Sequence, residues 1–257
     1  DSGEIHKFQK GVFTAAMDGQ PWDTRFVNVW NVTISPDGQH LAAEVRLSLY
    51  DYTIAVDGEP WASRYATVWQ PVFNPTNGAV VAPVREKGQW ALAQNGSILW
   101  DRRFVQLWQQ MFSPDGSRLA AIVAPSYGRW TVAVDGVPWT TTFSTMVSDV
   151  AFSQDGQRIA ALAKDNETYR VVVDGSPWSD AWDMAWKPVF SPDGSHVAAK
   201  VEKNGRYSYT VNGRSWTSSS DAAWDPVFSP DGTHLMLRTV EGGDYIRRIA
   251  PVSTITG

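Results

Sequence analysis

Hydrophobic and polar positions along this chain fall into short runs separated by turn-forming residues, and no run carries the three-to-four spacing of an amphipathic helix with caps. The stretch Trp186 to Trp216, WKPVFSPDGSHVAAKVEKNGRYSYTVNGRSW, shows the pattern most fully. Val189-Phe190 leads into Ser191-Pro192-Asp193-Gly194, where Pro sets φ, Asp bonds the turn backbone and Gly accepts positive φ. His196 to Val201 then runs outward as a strand, and Asn204-Gly205 reverses the chain. Tyr207 to Val211 runs back, and Asn212-Gly213 turns again to deliver Trp216.

The same unit recurs. The first residue of the SPDG turn falls at Ser35, Asn74 (in the degenerate NPTNG), Ser113, Ser153, Ser191 and Ser229, at spacings of 39, 39, 40, 38 and 38. A second marker, DGxPW, falls at Asp18, Asp57, Asn95 (stretched, as NGSILW), Asp135, Asp174 and Asn212. Two markers in phase over six periods define a repeat. Each period predicts four short strands. The first ends in SPDG, the second reads LAAxV, the third YTVAV, and the fourth follows PW, as in Arg25-Phe26-Val27. Four antiparallel strands per repeat predict an all-β fold, a β-propeller of about six four-stranded blades, with seven as the alternative count. A solenoid is the rival, but it would need capping segments that the ends do not show. Asp1 to Lys10 reads as a lead-in, and residues 11–257 as one propeller domain. The chain opens on third and fourth strands (Gly11 to Met17 and the segment after Trp22) and ends on first, second and third. A ring could therefore close by pairing an N-terminal outer strand with the last sheet. The third strand is then offered twice, by Gly11–Met17 and by Asp244–Ala250.

Composition narrows the chemistry. The 257 residues contain no cysteine, which excludes disulfides, thiolate metal sites and a cysteine nucleophile. A net charge of −5 with acids and bases intermixed gives no electrostatic case for nucleic acid. No 20-residue apolar run suggests membrane insertion. The chain begins at Asp1 without an initiator Met, as a processed form or a fragment would. Fourteen Trp spread through the periods suit wide contacts between packed sheets.

The Asp residues of both markers read as turn formers, and His40, His196 and His234 as a shared repeat position. No Ser-His-Asp arrangement, HExxH or phosphate loop is present, and no pair of carboxylates leaves its repeat role. The expectation is a protein that is not an enzyme, with no catalytic, cofactor or metal residues. Candidates for partner binding are Trp30, Trp69, Trp108, Trp186 and Trp224, which mark the start of the first strand, normally nearest a propeller's axis. The fourth repeat departs, with Val147-Ser148. The competing reading buries all five indoles between blades. The irregular loops between second and third strands add Arg46, Tyr50, Tyr127 and Arg129, residue types favoured in interface hot spots. Arg25, Arg64 and Arg103, three residues past the marker Trp, read as solvated charges or as a one-sided basic patch.

FSPDG followed by LAA resembles the repeats of WD40 and TolB-like propellers. A narrower resemblance covers almost the whole chain. FQKGVFTAAMDGQPWDTRFVNVW, EVRLSLYDYTIAVDGEPW, LWDRRFVQLWQQMFSPDG, AIVAPSYGRWTVAVDGVPW and DMAWKPVFSPDGSHVAAKVEKNGRY look like the D subunit of the Tmc transmembrane redox complex of sulfate-reducing bacteria. The resemblance implies a non-catalytic propeller scaffold, an accessory subunit mediating protein–protein interaction in a membrane-associated electron-transfer complex. Its partners there would be a multihaem cytochrome c, a membrane cytochrome b and an iron–sulfur subunit. Location would be cytoplasmic, with membrane association through those partners. Family members tend to have further repeats upstream, which points to a fragment or short form here. No cofactor is expected, since the chain has no thiolate and no clustered His for an iron–sulfur centre or haem. The alternative function is a TolB-like propeller enzyme, or a small-ligand-binding propeller with a site at the axial channel.

Overall fold

The computed structural model describes residues 11–256. The lead-in expected over 1–10, His6 included, lies outside the described residues. The chain falls into two compact units, one formed by residues up to 112 with 119–125 and 134–136, the other by 113–118, 126–133 and 137 onward.

In the first unit, Ala16–Met17 pairs with Gln20–Pro21. The next sheet orders Asn28–Ile34, Leu41–Arg46, Tyr52–Val56 and Glu59–Pro60 as successive antiparallel neighbours. In the second repeat Thr67–Val68 and Val72–Phe73 both pair with Val80–Glu86, which is followed by Gln89–Gln94 and Ser97–Ile98. Gln106–Phe112 opens the third repeat, with Phe112 opposite Leu119. The second unit repeats the order in Met146–Phe152, Ile159–Asp165, Thr168–Val173 and Ser176–Pro177. Met184–Ala185 and Val189–Phe190 then share Val197–Lys203, followed by Arg206–Val211 and Arg214–Ser215. Ala222–Ala223 and Val227–Phe228 share His234–Glu241, which Asp244–Pro251 follows. Repeat after repeat is an antiparallel meander, and the fold is an all-β propeller.

The second strands of the first five repeats open on residues buried on both faces, so they read as largely apolar runs, whereas His234–Glu241 in the last repeat alternates. Ala42, Ala43, Ala160, Ala161, Ala198 and Ala199 are fully buried there. Their small side chains let neighbouring sheets approach closely.

Both sequence markers are hydrogen-bonding devices. In the SPDG turn the Ser hydroxyl donates to the Asp carboxylate, at 2.5 Å in Ser113–Asp115 and Ser191–Asp193, and accepts the amide of the residue that starts the return. These bonds hold the Asp115, Asp193 and Asp231 carboxyls down to about 2, led in each case by the Ser hydroxyl. In the DG marker both residues sit at positive φ, as a type I′ hairpin turn requires. The marker's Asp or Asn then accepts the first amide of the second strand. Leu41 donates to Asp57 at 2.9 Å, Val80 to Asn95 at 3.0 Å and Val197 to Asn212 at 2.9 Å. Only a short side chain that tolerates left-handed backbone and offers an oxygen can do both, which is why Asp and Asn interchange there.

The marker's Trp makes the joint between repeats. A Cβ added at Gly58 would lie 3.0 Å from the Trp22 side chain, at Gly96 3.2 Å from Trp61, and at Gly136 3.2 Å from Trp100. In the second unit Gly175 meets Trp139 and Gly213 meets Trp178 in the same way. Each indole therefore lies against the glycine turn one repeat on. Among the described residues no glycine turn meets Trp216. It packs instead with Val252 and Ile255, around a short helix Ser253–Thr256 that the strand periodicity did not indicate.

Three expectations change. The fourth strand precedes the marker Trp rather than following it, as in Glu59–Pro60, because the two-residue I′ turn starts the pairing at once. Beyond the Trp only single bridges recur, such as Phe13 with Phe26 and Tyr52 with Tyr65. The two offers of a third strand do not compete, since Ala16–Met17 belongs to its own two-stranded sheet and Asp244–Pro251 to the last one. The first strand starts before its Trp, at Asn28 and Gln106, and is cut in two at Trp69, Trp186 and Trp224.

The indole joint predicts that Gly58→Ala destabilises the fold by ~1–3 kcal/mol more than Gly19→Ala, measured by urea unfolding. Both turns need positive φ, but only Gly58 faces an indole. A second prediction concerns His40, whose Nδ1 lies 2.6 Å from Asp57 Oδ2. That hydrogen bond, and then the Asp57 charge, raise the His40 pKa above 6.5. Its favourable contribution is complete below the unfolded-state pKa and is lost as pH rises through the raised value. Asp57→Asn should return the His40 titration, followed by NMR, to its ordinary range while keeping the Leu41 cap that Asn95 and Asn212 supply elsewhere.

Candidate functional site

The site region is built on an irregularity in the first strand. Where no proline intervenes, the strand is continuous but bulged, with register shifts between Trp30 and Thr33, Trp108 and Met111, and Ser148 and Ala151. The bulged residues Asn31, Gln109 and Asp149 take positive φ of 47°, 49° and 52°. In the other three repeats the next residue is Pro71, Pro188 or Pro226, which disfavours helical backbone in the residue before it and removes a ladder donor. There the strand breaks instead.

None of the five predicted Trp residues is fully buried. Trp30 is 38% exposed and Trp224 43%, while Trp69, Trp108 and Trp186 are half-buried. The rings are braced by aromatic residues of the third strand. Trp30 stacks on Tyr52 at 6.3 Å, Trp69 lies tilted against Trp90 at 4.2 Å and Trp186 against Tyr207 at 5.7 Å, and Trp224 meets Tyr245 edge-on at 5.4 Å. Arg46 lies 6.0 Å over the Tyr52 ring, so Arg46, Tyr52 and Trp30 form one layered group. Beside it, in the same loop, Tyr50 is 78% exposed. Tyr127, in the second unit, is 93% exposed, with Arg129 exposed two residues on.

Trp69 and Trp108 come together in the first unit as walls of a cavity of about 450 Å³. Gln109 and Gln110 line it too. A regular strand would send neighbouring side chains to opposite faces, and the bulge is what brings Trp108, Gln109 and Gln110 to one cavity. Gln110 is buried, and its Nε2 donates to the Gln70 carbonyl at 2.6 Å. The acid of the cavity is Glu44, only 8% exposed, which accepts from Asn31 Nδ2 at 2.6 Å. Burial raises its carboxyl above the usual range, against the opposing effect of the Asn31 bond. Glu44 was not among the sequence candidates. The signal was there: in the apolar second strand it occupies the position of Pro83, Ile122 and Leu162, opposite Trp30.

In the fifth and sixth repeats the same position holds cations. Lys200 Nζ sits 4.3 Å from the centre of the Trp186 ring and 3.1 Å from Asp225 Oδ1. Arg238 follows one repeat on, with its buried Nε lacking a hydrogen-bond partner. Its main-chain oxygen accepts the hydroxyl of Tyr209, whose pKa burial pushes up to about 12.

Arg25 is exposed at the surface, and Arg103 is half-buried with Glu86 3.6 Å from its Nη2. Each Nη1 donates to the carbonyl of the preceding marker Trp, at 3.3 and 3.0 Å, and Arg64 does the same to Trp61. They hold the loop that follows the indole. Among the described residues no group of three or more His, Cys, Asp or Glu is placed to hold a metal ion. Nor is any helix there long and apolar enough to cross a membrane.

No protein-family model matches the chain, and no curated protein does. Among solved structures the fold is similar to a eukaryotic initiation factor, with a TM-score of 0.53 and 14% identity over 91% of this chain. The chain spans 65% of that protein's length. The likeness is one of fold alone. TolB from Acinetobacter baumannii (TM-score 0.39, 17% identity, 87% of this chain and 57% of that one) and the Dos1 propeller (0.43, 10%, 94% and 81%) are less similar.

The bulge yields a test. A β-branched side chain at positive φ is strained by ~1–3 kcal/mol. Gln109→Ile should therefore lower stability by that amount in urea unfolding, while Gln109→Gly should lose less than ~1 kcal/mol.

Proposed function

We propose that this chain is a non-catalytic propeller scaffold that docks a protein partner through the loops between its second and third strands. The observation that carries the reading is the exposed group in the first unit, where Leu49 and Tyr50 project beside the layered Trp30, Tyr52 and Arg46. Tyr, Trp and Arg dominate interface hot spots, and a large apolar side chain left in water favours association. Tyr127 and Arg129 offer a second such loop. The rigid meanders behind these loops lower the entropic cost of docking.

The partner class follows from the sequence resemblance to the D subunit of a Tmc-type complex. On that resemblance the partners are the cytochrome c, cytochrome b and iron–sulfur subunits of a membrane electron-transfer complex. Electrons would pass through those subunits, with this chain holding them in register from the cytoplasmic side.

Binding of the chain to the detergent-solubilised complex tests the proposal. Tyr50→Ala or Tyr127→Ala should cost ~2 kcal/mol or more, about thirtyfold in affinity, with the fold unchanged by circular dichroism. Unchanged affinity in both folded variants would place docking elsewhere and sink this reading.

A further inference from the structure

The cavity of the first unit is not used by the docking proposal, and its chemistry is of a different kind. Its aromatic walls are Trp69 and Trp108, its amides include Asn31, Gln109 and Gln110, and its one ionisable group is Glu44. No cationic side chain lines it. Among the described residues Glu44 accepts a single hydrogen bond, from Asn31, and forms no ion pair. A carboxylate this deeply buried without a counter-charge is costly to keep ionised, and a cation entering the cavity would offset that cost. At about 450 Å³ the space is of the size that small organic ligands occupy.

The second unit shows what such a cation would look like. At the register position that Glu44 holds in the first repeat, the fifth repeat carries Lys200. Its ammonium lies over the first-strand indole, Trp186, and is paired with Asp225, the residue that follows the first-strand Trp224. Here the chain supplies ammonium, indole and carboxylate together. The first unit has a carboxyl at the register position of that ammonium, with two indoles and an open volume beside it.

We propose that this cavity binds an organic ammonium ion, with Glu44 as its counter-charge and Trp69 and Trp108 as its aromatic walls. Indole faces attract such ions through the ring quadrupole, most strongly where water is excluded. The amides orient whatever polar groups the ion carries. Trp69 is suited to a fixed wall because Trp90 holds it at 4.2 Å between ring centres. Gln110 is fixed by its bond to the Gln70 carbonyl. A neutral polyol such as a sugar would also find indoles and amides here, but would leave the acid without a counter-charge.

Isothermal titration calorimetry of the whole chain with choline tests the proposal, with its neutral carbon isostere 3,3-dimethylbutan-1-ol and with maltose as controls. Choline should bind at one site per chain, at least tenfold tighter than the isostere. Glu44→Gln preserves shape and the acceptor for Asn31, and should weaken choline at least tenfold. Trp108→Leu should do the same. If Trp108→Leu does not fold, the choline–isostere ratio and Glu44→Gln decide by themselves. Equal binding of choline and its isostere, full affinity in Glu44→Gln, binding of maltose in place of choline, or no choline binding at millimolar concentration would each overturn the assignment. None of these results bears on docking through Tyr50 and Tyr127.

Discussion

An indole lying against a left-handed glycine turn joins each repeat to the next, and most of the architecture follows from it. The turn must reverse the chain within two residues, so its backbone needs positive φ twice. The face it turns to the preceding repeat must also be flat enough to receive an indole. Glycine at the second position meets both demands, since a Cβ there would intrude on Trp22, Trp61, Trp100, Trp139 or Trp178. Asp or Asn at the first position adds the cap on the second strand. One short motif thus sets the hairpin, starts the buried strand and places the joint. Where the series ends, Trp216 packs with Val252 and Ile255, and the short helix Ser253–Thr256 holds them there.

This economy explains why so much of the fold could be read in the residues. The SPDG and DGxPW turns act through local hydrogen bonds, so their spacing reports directly on where strands end. What lay beyond reach depends on neighbours in space. The five Trp-flanked first strands looked uniform, yet those with Pro71, Pro188 and Pro226 break while those at Asn31 and Gln109 bulge, as does the strand at Asp149 that lacks the Trp. The proline was visible, and its effect on the preceding residue is a local rule. The exposure of each indole, by contrast, depends on a cross-strand aromatic, Tyr52 for Trp30 and Tyr245 for Trp224. The arginines after the marker Trp pointed to charge at the surface, where Arg25 and Arg64 do lie; their bonds to the preceding carbonyls could not be read from the residues.

Glu44 was the least legible because its strand is the most regular part of the repeat. A single acid among LAAxV positions reads as an exposed residue of a half-buried strand. The second strand is covered on both faces, however, so this position has no solvent side. The residue is therefore a charge-bearing group where the next three repeats place Pro83, Ile122 and Leu162, and it has to be satisfied by whatever stands opposite.

The repeat handles that position in two ways. In the second unit the charge is a cation, and an indole and Asp225 surround it, so the group is neutralised within the chain. In the first unit the charge is an acid, its only hydrogen-bond donor among the described residues is a neutral amide, and its carboxyl rises above the usual range because the Asn31 bond only partly offsets burial. A scaffold that repeats its turns, joints and buried alanines with little change can carry such differences without losing the fold, because each is confined to one residue per repeat. The broken strand at Trp69 sits between the bulged ones at Asn31 and Gln109, so the first unit's irregularities all open on the same cavity as its unpaired acid. Backbone strain and an uncompensated buried charge both lower stability, and here they coincide in one place.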